Sequence, residues 1–412
     1  MDIKTFKPRK VEIPVTEIEQ ASFCRLDDNL RSKTLEEEFK SGVKWQKVPL
    51  RYLKMKPDEI DSEIVKMKSI IGSKLYILGH HYQREEVIKF ADTTGDSFKL
   101  SLDASKVKDA EYIVFCGVHF MAETADILTE QNQKVILPNM AAGCSMADMA
   151  STEDVNDAWE FVKKHSDDFI PITYMNSTAS IKSLCGSNDG IVCTSSNAKV
   201  AFQQYLPQGK KIFFFPDQHL GRNTALSLGI KKEEIKVWNP FKENGGLTIE
   251  EIQKVKVLVW QGHCSVHTRF SVEQVDEAKL RGANVIVHPE CTNEVVSVSD
   301  YVGSTEYIID VINNAESGTK WGVGTEINLV KRLASQNPDK EIFCLDPIVC
   351  PCATMYRIHP AYVLWVLDGI AAGLVINQVE VDFEERLNSK IALDRMLNLP
   401  KWFLINFILL KT

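Results

Sequence analysis

At 412 residues the chain exceeds the length at which one hydrophobic core keeps growing, so several lobes are expected. Hydrophobic residues make up 44% and charged residues 25%, an ordinary balance for a soluble globular protein. A net charge of −8 with no basic run excludes the electrostatic footprint of a nucleic-acid binder, and no stretch approaches the roughly 18–20 apolar residues that span a bilayer.

The N-terminal residues MDIKTFKPRKVEIPV lack the apolar core of a signal peptide. Ten cysteines in such a chain point to a reducing compartment and a cytoplasmic location, as thiols or metal ligands rather than disulfides. Residues 1–70 are charged and poor in pocket-type motifs. They read as an N-terminal extension or cap, with a helix predicted at PDEIDSEIVKMKSII. From Lys74 onward short apolar runs each end in a polar cluster and lead into helical periodicity. KLYILGHHYQ, AEYIVFCGVHF and KVILPNMAAGC form a first series; FIPITYMNSTAS, GIVCTSSNA and KIFFFPDQHLGR a second; ANVIVHPECTN, SDYVGSTEYI and KWGVGTEINL a third. The C-terminal WFLINFILL is apolar but too short to cross a membrane, and docking on the body or a partner is expected.

Strands alternating with helices imply an α/β fold with parallel sheets flanked by helices, and three such series look like a degenerate threefold repeat. The expected division is lobe one at 71–143, completed by 353–412, lobe two at 144–263 and lobe three at 264–352. Ligands of such sheets bind beyond the carboxyl ends of the strands, where GHHYQ, TYMN, TSSN, HPEC, GST and GTE lie.

Three cysteines stand in low-charge segments of these series: Cys144 in AAGCSMADM, Cys264 in WQGHCSVHTRF and Cys352 in CPCATMYRIHP. They lie 120 and 88 residues apart, too far for a local knuckle. Three thiolates are one short of a closed tetrahedral set and would leave an open metal position. Cys350 offers a second thiol in the last segment. Cys116, Cys193, Cys291 and Cys344 follow apolar runs and read as packing residues, with Cys291 beside Glu290 near the pocket. Period-two alternation turns His80 and Tyr82 to one side and His81 to the other. Tyr174 with Asn176, and His288 with Glu290, repeat that spacing. Ser97, Ser195 and Thr305 are hydroxyls in GDS, TSS and GST, each expected to open a helix whose free N–H groups suit an anion. Asp96 is expected to orient the first of these loops. Asp217, His219 and Arg222 lack the nucleophile elbow of a hydrolase and read as a polar network of lobe two. His263 and His267 flank Cys264 as supporting groups.

Taken in order, HHYQ with GDS, CGVHFMAETA, the AGC segment, TYMNSTA, CTSSNA, FFPDQHLGRN, W-x-G-x-C-x-V-H, VHPEC, VGSTEYI, VGTE and CPCATM resemble the quinolinate synthase family over about Lys74 to Asp368. The resemblance implies three αβα sandwich lobes related by pseudo-threefold symmetry, with the site at their junction. It implies one [4Fe–4S] cluster on Cys144, Cys264 and Cys352, the last favoured over Cys350 by its place three residues before Met355. The implied reaction condenses iminoaspartate with dihydroxyacetone phosphate, releasing phosphate and water and giving quinolinate, with an aspartate-oxidising enzyme as supplier and a monomer or homodimer as the assembly. His80, Tyr82, Tyr174, His288 and Glu290 then fall on catalytic positions. His80, Ser97, Tyr174, Asn176, Ser195, His288, Glu290 and Thr305 fall on substrate-binding ones. An iron–sulfur hydro-lyase acting on another small dicarboxylate is the alternative enzyme. An iron–sulfur sensor or zinc-held scaffold is the non-enzymatic one.

Overall fold

The computed structural model describes residues 33–40 and 45–399. Three sheets organise the chain. The first contains β1 (Leu75–His80), β2 (Thr93–Gly95), β3 (Tyr112–Cys116) and β4 (Lys134–Ile136) in parallel. The second contains β5 (Phe169–Tyr174), β6 (Ile191–Cys193), β7 (Lys211–Phe215), β8 (Ile235–Trp238) and β9 (Val257–Trp260). The third contains β10 (Asn284–Val287), β11 (Tyr301–Val302), β12 (Lys320–Gly324) and β13 (Glu341–Cys344). Late in the chain, β14 (Gln378–Val379) returns to pair antiparallel with β4 in the first sheet.

The strand orders share one rule. They run β2-β1-β3-β4, β6-β5-β7-β9-β8 and β11-β10-β12-β13. In each sheet the first strand is central, with the second on one side and the third on the other. That shared order, with parallel pairing throughout the three series, makes the lobes topological copies related by pseudo-threefold symmetry. It also puts the carboxyl ends of β1, β5 and β10 in equivalent places, where ligands of parallel sheets gather.

Burial explains why these segments are strands. All six residues of β5 are buried, as are the last four of β7, because helices cover both faces of the sheet and the strand reads as a continuous apolar run. In lobe two that core is aromatic, with Phe213 and Phe215 4.3 Å apart between ring centroids and Trp260 5.8 Å from Phe215.

The predicted helix occupies Pro57–Ile71, opened by its proline and ended at Gly72, whose φ of 63° suits glycine. The N-terminal segment is tied to residues 356–371: Tyr52 donates to Asp368 at 2.7 Å on the helix Pro360–Ala371, and Tyr356 donates to Glu38 at 3.0 Å. Cys24 and the apolar tail from Lys401 to Thr412 lie outside the described residues. No helix among the described residues is long and apolar enough to cross a membrane.

Candidate active site at the junction of the three lobes

A cavity of about 70 Å³ opens where the three lobes meet, several times the ~10–15 Å³ that one water needs. Every site residue read from the sequence lines it. His80, Tyr82 and Ser97 come from the first third of the chain, Cys144, Tyr174, Asn176, Ser195 and Cys264 from the second, and His288, Glu290, Thr305 and Cys352 from the last. No lysine or arginine is among its lining residues.

The strand ends shape the polar wall. His80 closes β1, and its Nδ1 accepts the Tyr82 N–H at 3.1 Å. His288 follows β10, and its Nδ1 accepts the Glu290 N–H at 3.3 Å. Burial holds both rings neutral, His80 well below the ordinary histidine value and His288 at about 3. With Nδ1 accepting, the ring proton sits on Nε2, so each histidine is an N–H donor. His81 turns away to Glu306 at 3.1 Å.

A hydrogen-bonded chain crosses the lobes. The Tyr82 hydroxyl meets Thr305 Oγ1 at 3.0 Å and Thr325 Oγ1 at 2.9 Å. Thr325 Oγ1 meets His267 Nε2 at 3.2 Å, and His267 Nδ1 meets Glu290 Oε2 at 2.9 Å. The Tyr174 hydroxyl lies against Glu290 and Ser195. Burial alone would raise the Glu290 carboxyl, but the His267 and His288 rings outweigh it and hold Glu290 at about 2, so it is ionised at neutral pH. Burial, followed by the charge of Glu290, pushes the Tyr82 and Tyr174 phenols well above their usual value, so both stay protonated.

Asn176 Oδ1 and Thr194 Oγ1 are buried in this wall with no hydrogen-bond partner among the described residues. Native interiors rarely leave such atoms unmatched, and here they face the cavity. Ser97 is the first residue of the helix Ser97–Lys106, capped by Asp96, which accepts the Lys99 N–H at 2.9 Å and is raised by burial to about 6. Thr305 is the first residue of the helix Thr305–Asn313, capped by Ser304. Gly303 is required in that GST turn, since a Cβ there would lie 2.0 Å from the Tyr307 ring. Ser195 departs from the expectation. The helix Ala198–Tyr205 has Asn197 as its N-cap residue, whose Oδ1 accepts the Thr194 N–H at 2.7 Å and folds Ser195 into a turn ahead of the helix.

The three cysteines converge from separate segments, and each begins a helical turn. The carbonyls of Cys144, Cys264 and Cys352 accept the N–H groups of Asp148, Thr268 and Tyr356 at 2.9, 3.1 and 2.9 Å. All three are free thiols, and burial raises each above its usual pKa. The set suits an iron–sulfur cluster: soft ligands in a closed site, close enough that Cys144 and Cys264 each feel the charge of Cys352. Cys264, His267 and Glu290 also place ligand atoms within 4.8 Å of one another. His267 therefore belongs to the cavity wall itself.

Two cysteine expectations are corrected. Cys350 is disulfide-bonded rather than a thiol. Cys291 is fully buried, contacts the Gly324 carbonyl at 3.8 Å and does not line the cavity, because the turn after β10, closed by the Cys291 N–H on the His288 carbonyl, leaves Glu290 facing inward and packs Cys291 into the third lobe's core. Asp217, His219 and Arg222 stay outside the cavity as well. Asp217 caps the helix Gln218–Ser227 by accepting the Leu220 N–H at 2.7 Å.

Residue-by-residue reading assigned no role to Thr325, Glu326 or Asn223. Asn223 donates to the Pro289 and Cys291 carbonyls at 2.9 Å each and holds the Glu290 loop from lobe two. Thr325 and Glu326 lie just past β12, the strand end where GTE was expected to face the ligand, and that position was their only signal.

The family model described as quinolinate synthetase A protein matches residues 62–398. The quinolinate synthase of Streptomyces coelicolor is 53% identical over 340 residues, 81% of this chain and 86% of that one. That of Corynebacterium glutamicum is 51% identical over 357 residues, covering 86% and 91%. That of Bacillus cereus strain G9842 is 50% identical over 354 residues, covering 85% and 96%.

Proposed function

The chain belongs to the quinolinate synthase family of NAD-biosynthetic enzymes, and from that premise we propose that it condenses iminoaspartate with dihydroxyacetone phosphate to quinolinate, releasing phosphate and water. The observation that carries this reading is the convergence of three free cysteines and three strand ends on one cavity whose described lining residues include no lysine or arginine. Cys144, Cys264 and Cys352 would hold a [4Fe–4S] cluster. When bound through three protein ligands, such a cluster supplies a Lewis-acidic iron with a position open to an oxygen of the substrate.

The chain's own residues do the rest. His80 and His288 offer Nε2–H groups, and Asn176, Ser97, Ser195 and Thr305 offer amide and hydroxyl groups, to the carboxylates and phosphate of the substrates. Neutral donors and two helix N-termini replace the usual arginines. Ionised Glu290 accepts protons and is held in orientation by His267, which Thr325 braces from behind. Tyr82 and Tyr174, both protonated, donate to oxygen atoms that gain charge. Closure of the site by three lobes keeps bulk water from the condensing carbons.

The lobes are proposed to divide at residues 71–143 with 353–412, 144–263 and 264–352, behind a cap of residues 1–70. The enzyme would be cytoplasmic, a monomer or homodimer, and supplied with iminoaspartate by an aspartate-oxidising enzyme.

The test is anaerobic reconstitution with iron and sulfide counting, followed by assay with both substrates. Four irons per chain and quinolinate formation dependent on dihydroxyacetone phosphate support the reading. Dehydration of another hydroxy-dicarboxylate without use of dihydroxyacetone phosphate would favour the hydro-lyase instead.

A further inference from the structure

Glu326 is fully buried, and no cation pairs with it among the described residues. Four N–H donors satisfy it instead. Oε2 accepts from Asn328 N at 2.7 Å and Leu329 N at 3.4 Å, which caps the helix Ile327–Gln336. Oε1 has no part in that cap. It accepts the backbone N–H of Cys352 at 3.2 Å, 26 residues further along the chain, and the Asn328 side-chain amide at 2.9 Å. The same amide reaches the Tyr82 carbonyl at 3.4 Å. One carboxylate thus joins the end of β12, the backbone of Cys352 and, through Asn328, the loop that carries Tyr82.

A cap alone would be served by Ser, Thr or Asp, the residues that usually supply it. The longer glutamate frees a second oxygen to reach Cys352, and burying a carboxyl, which raises its pKa to about 7, costs more than a hydroxyl cap. We infer that Glu326 is the positioning residue for Cys352: it fixes the backbone of this ligand against β12 and against Tyr82 before any cluster is present. This inference rests on Cys352 being a cluster ligand. Glutamine cannot substitute, because each oxygen faces N–H donors and an amide NH₂ would set donor against donor at one of them.

The experiment compares anaerobic, cluster-loaded parent protein with Glu326→Gln, Asn328→Ala, Cys352→Ser and Ser271→Ala, following loss of visible absorption after addition of EDTA. Ser271 caps the helix Val272–Leu280 in the same lobe, accepting the Gln274 N–H at 3.4 Å, and so reports on general loss of a cap. Removal of a group that supports a metal ligand typically weakens binding about tenfold or more, so Glu326→Gln should release iron at least about tenfold faster. Asn328→Ala should release it faster by a smaller factor, Ser271→Ala at the parent rate, and Cys352→Ser should hold no cluster. Parent-rate release from Glu326→Gln alongside a cluster-free Cys352→Ser overturns the inference and leaves the ligand assignment standing. Equal acceleration in Ser271→Ala reduces Glu326 to a cap. A full cluster in Cys352→Ser removes the ligand assignment and this inference together. If Glu326→Gln does not fold, Asn328→Ala decides, and parent-rate release from it overturns the inference. Amide exchange in cluster-free protein gives an independent reading: the Cys352 peptide should lose protection in Asn328→Ala while the Ser271 variant keeps it.

Discussion

His80 and His288 are counterparts in two different lobes, each accepting on Nδ1 the backbone N–H two residues ahead, from Tyr82 at 3.1 Å and from Glu290 at 3.3 Å. The bond sets the tautomer in both places and points one N–H at the cavity from each side. It follows from a histidine placed just as a parallel strand gives way to its loop, where the next backbone N–H groups lack ladder partners. Equivalent topology therefore yields equivalent donors, and the remaining lobe presents Tyr174 and Asn176 at the same point.

His288→Ala should leave the Glu290 N–H without its acceptor and remove one cavity donor. A hydrogen bond to a charged group contributes about 1.5–3 kcal/mol, so kcat/KM should fall about 10- to 100-fold. Steady-state kinetics on cluster-loaded protein checks this. A fall below about twofold would mean that the ring only packs against His267, whose centroid is 4.4 Å away.

Cys144→Ser, Cys264→Ser and Cys352→Ser should each fold and each fail to retain the broad visible absorption of an iron–sulfur cluster, since a serine oxygen is a hard and poor ligand for these irons. Cys350→Ser should retain it, because that sulfur is already committed to a disulfide. The readings are the visible spectrum and the iron and sulfide content of anaerobically prepared protein. The opposite pattern at Cys350 and Cys352 would transfer the ligand role.

The sequence revealed the strand ends because buried parallel strands are unbroken apolar runs, and the polar cluster after each run is the loop that meets the ligand. The alternation His80–Tyr82 and His288–Glu290 was legible for the same reason. Contacts between distant segments were not. Tyr82 meets Thr325 across 243 positions and Thr305 across 223, and no local pattern announces either bond. Ser195 failed as a helix opener because Asn197, two residues on, takes the N-cap position and turns its side chain back to the Thr194 N–H, leaving Ser195 in the turn ahead of the helix. The Cys350 disulfide escaped notice because cysteine count and compartment cannot give pairing.

Glu290→Gln should preserve the fold and the cluster while lowering kcat by at least about 100-fold, the lower range for loss of a general acid–base group. Glutamine keeps the size but cannot take up a proton, and it replaces one oxygen that faces His267 and Tyr174 with an NH₂ donor. Assay of quinolinate formation with a parallel spectrum separates chemistry from cluster loss. A rate within about tenfold of the parent, or about 1.4 kcal/mol of barrier, would reduce Glu290 to a packing residue.

Acid should destabilise the protein through His359, a buried ring away from the cavity. Its Nδ1 accepts the Ala361 N–H at 3.0 Å, capping the helix Pro360–Ala371, and its Nε2 donates to the Lys33 carbonyl at 2.9 Å. An accepting Nδ1 cannot be protonated without losing the cap, and burial lowers the folded pKa from 6.5 to about 3. Between those values the unfolded chain holds the extra proton, so the stability from this group is complete above about pH 6.5. It then falls by up to about 1.4 kcal/mol for each pH unit toward 3. Asparagine caps a helix well and does not titrate. His359→Asn should therefore be less stable than the parent at pH 7.5, by about 1 kcal/mol for the lost bond to Lys33. The gap should close near pH 6 and reverse by pH 5, as measured by urea unfolding of the two proteins side by side. A gap of the same size at pH 7.5 and pH 5 would show that His359 does not titrate differently in the folded and unfolded chains.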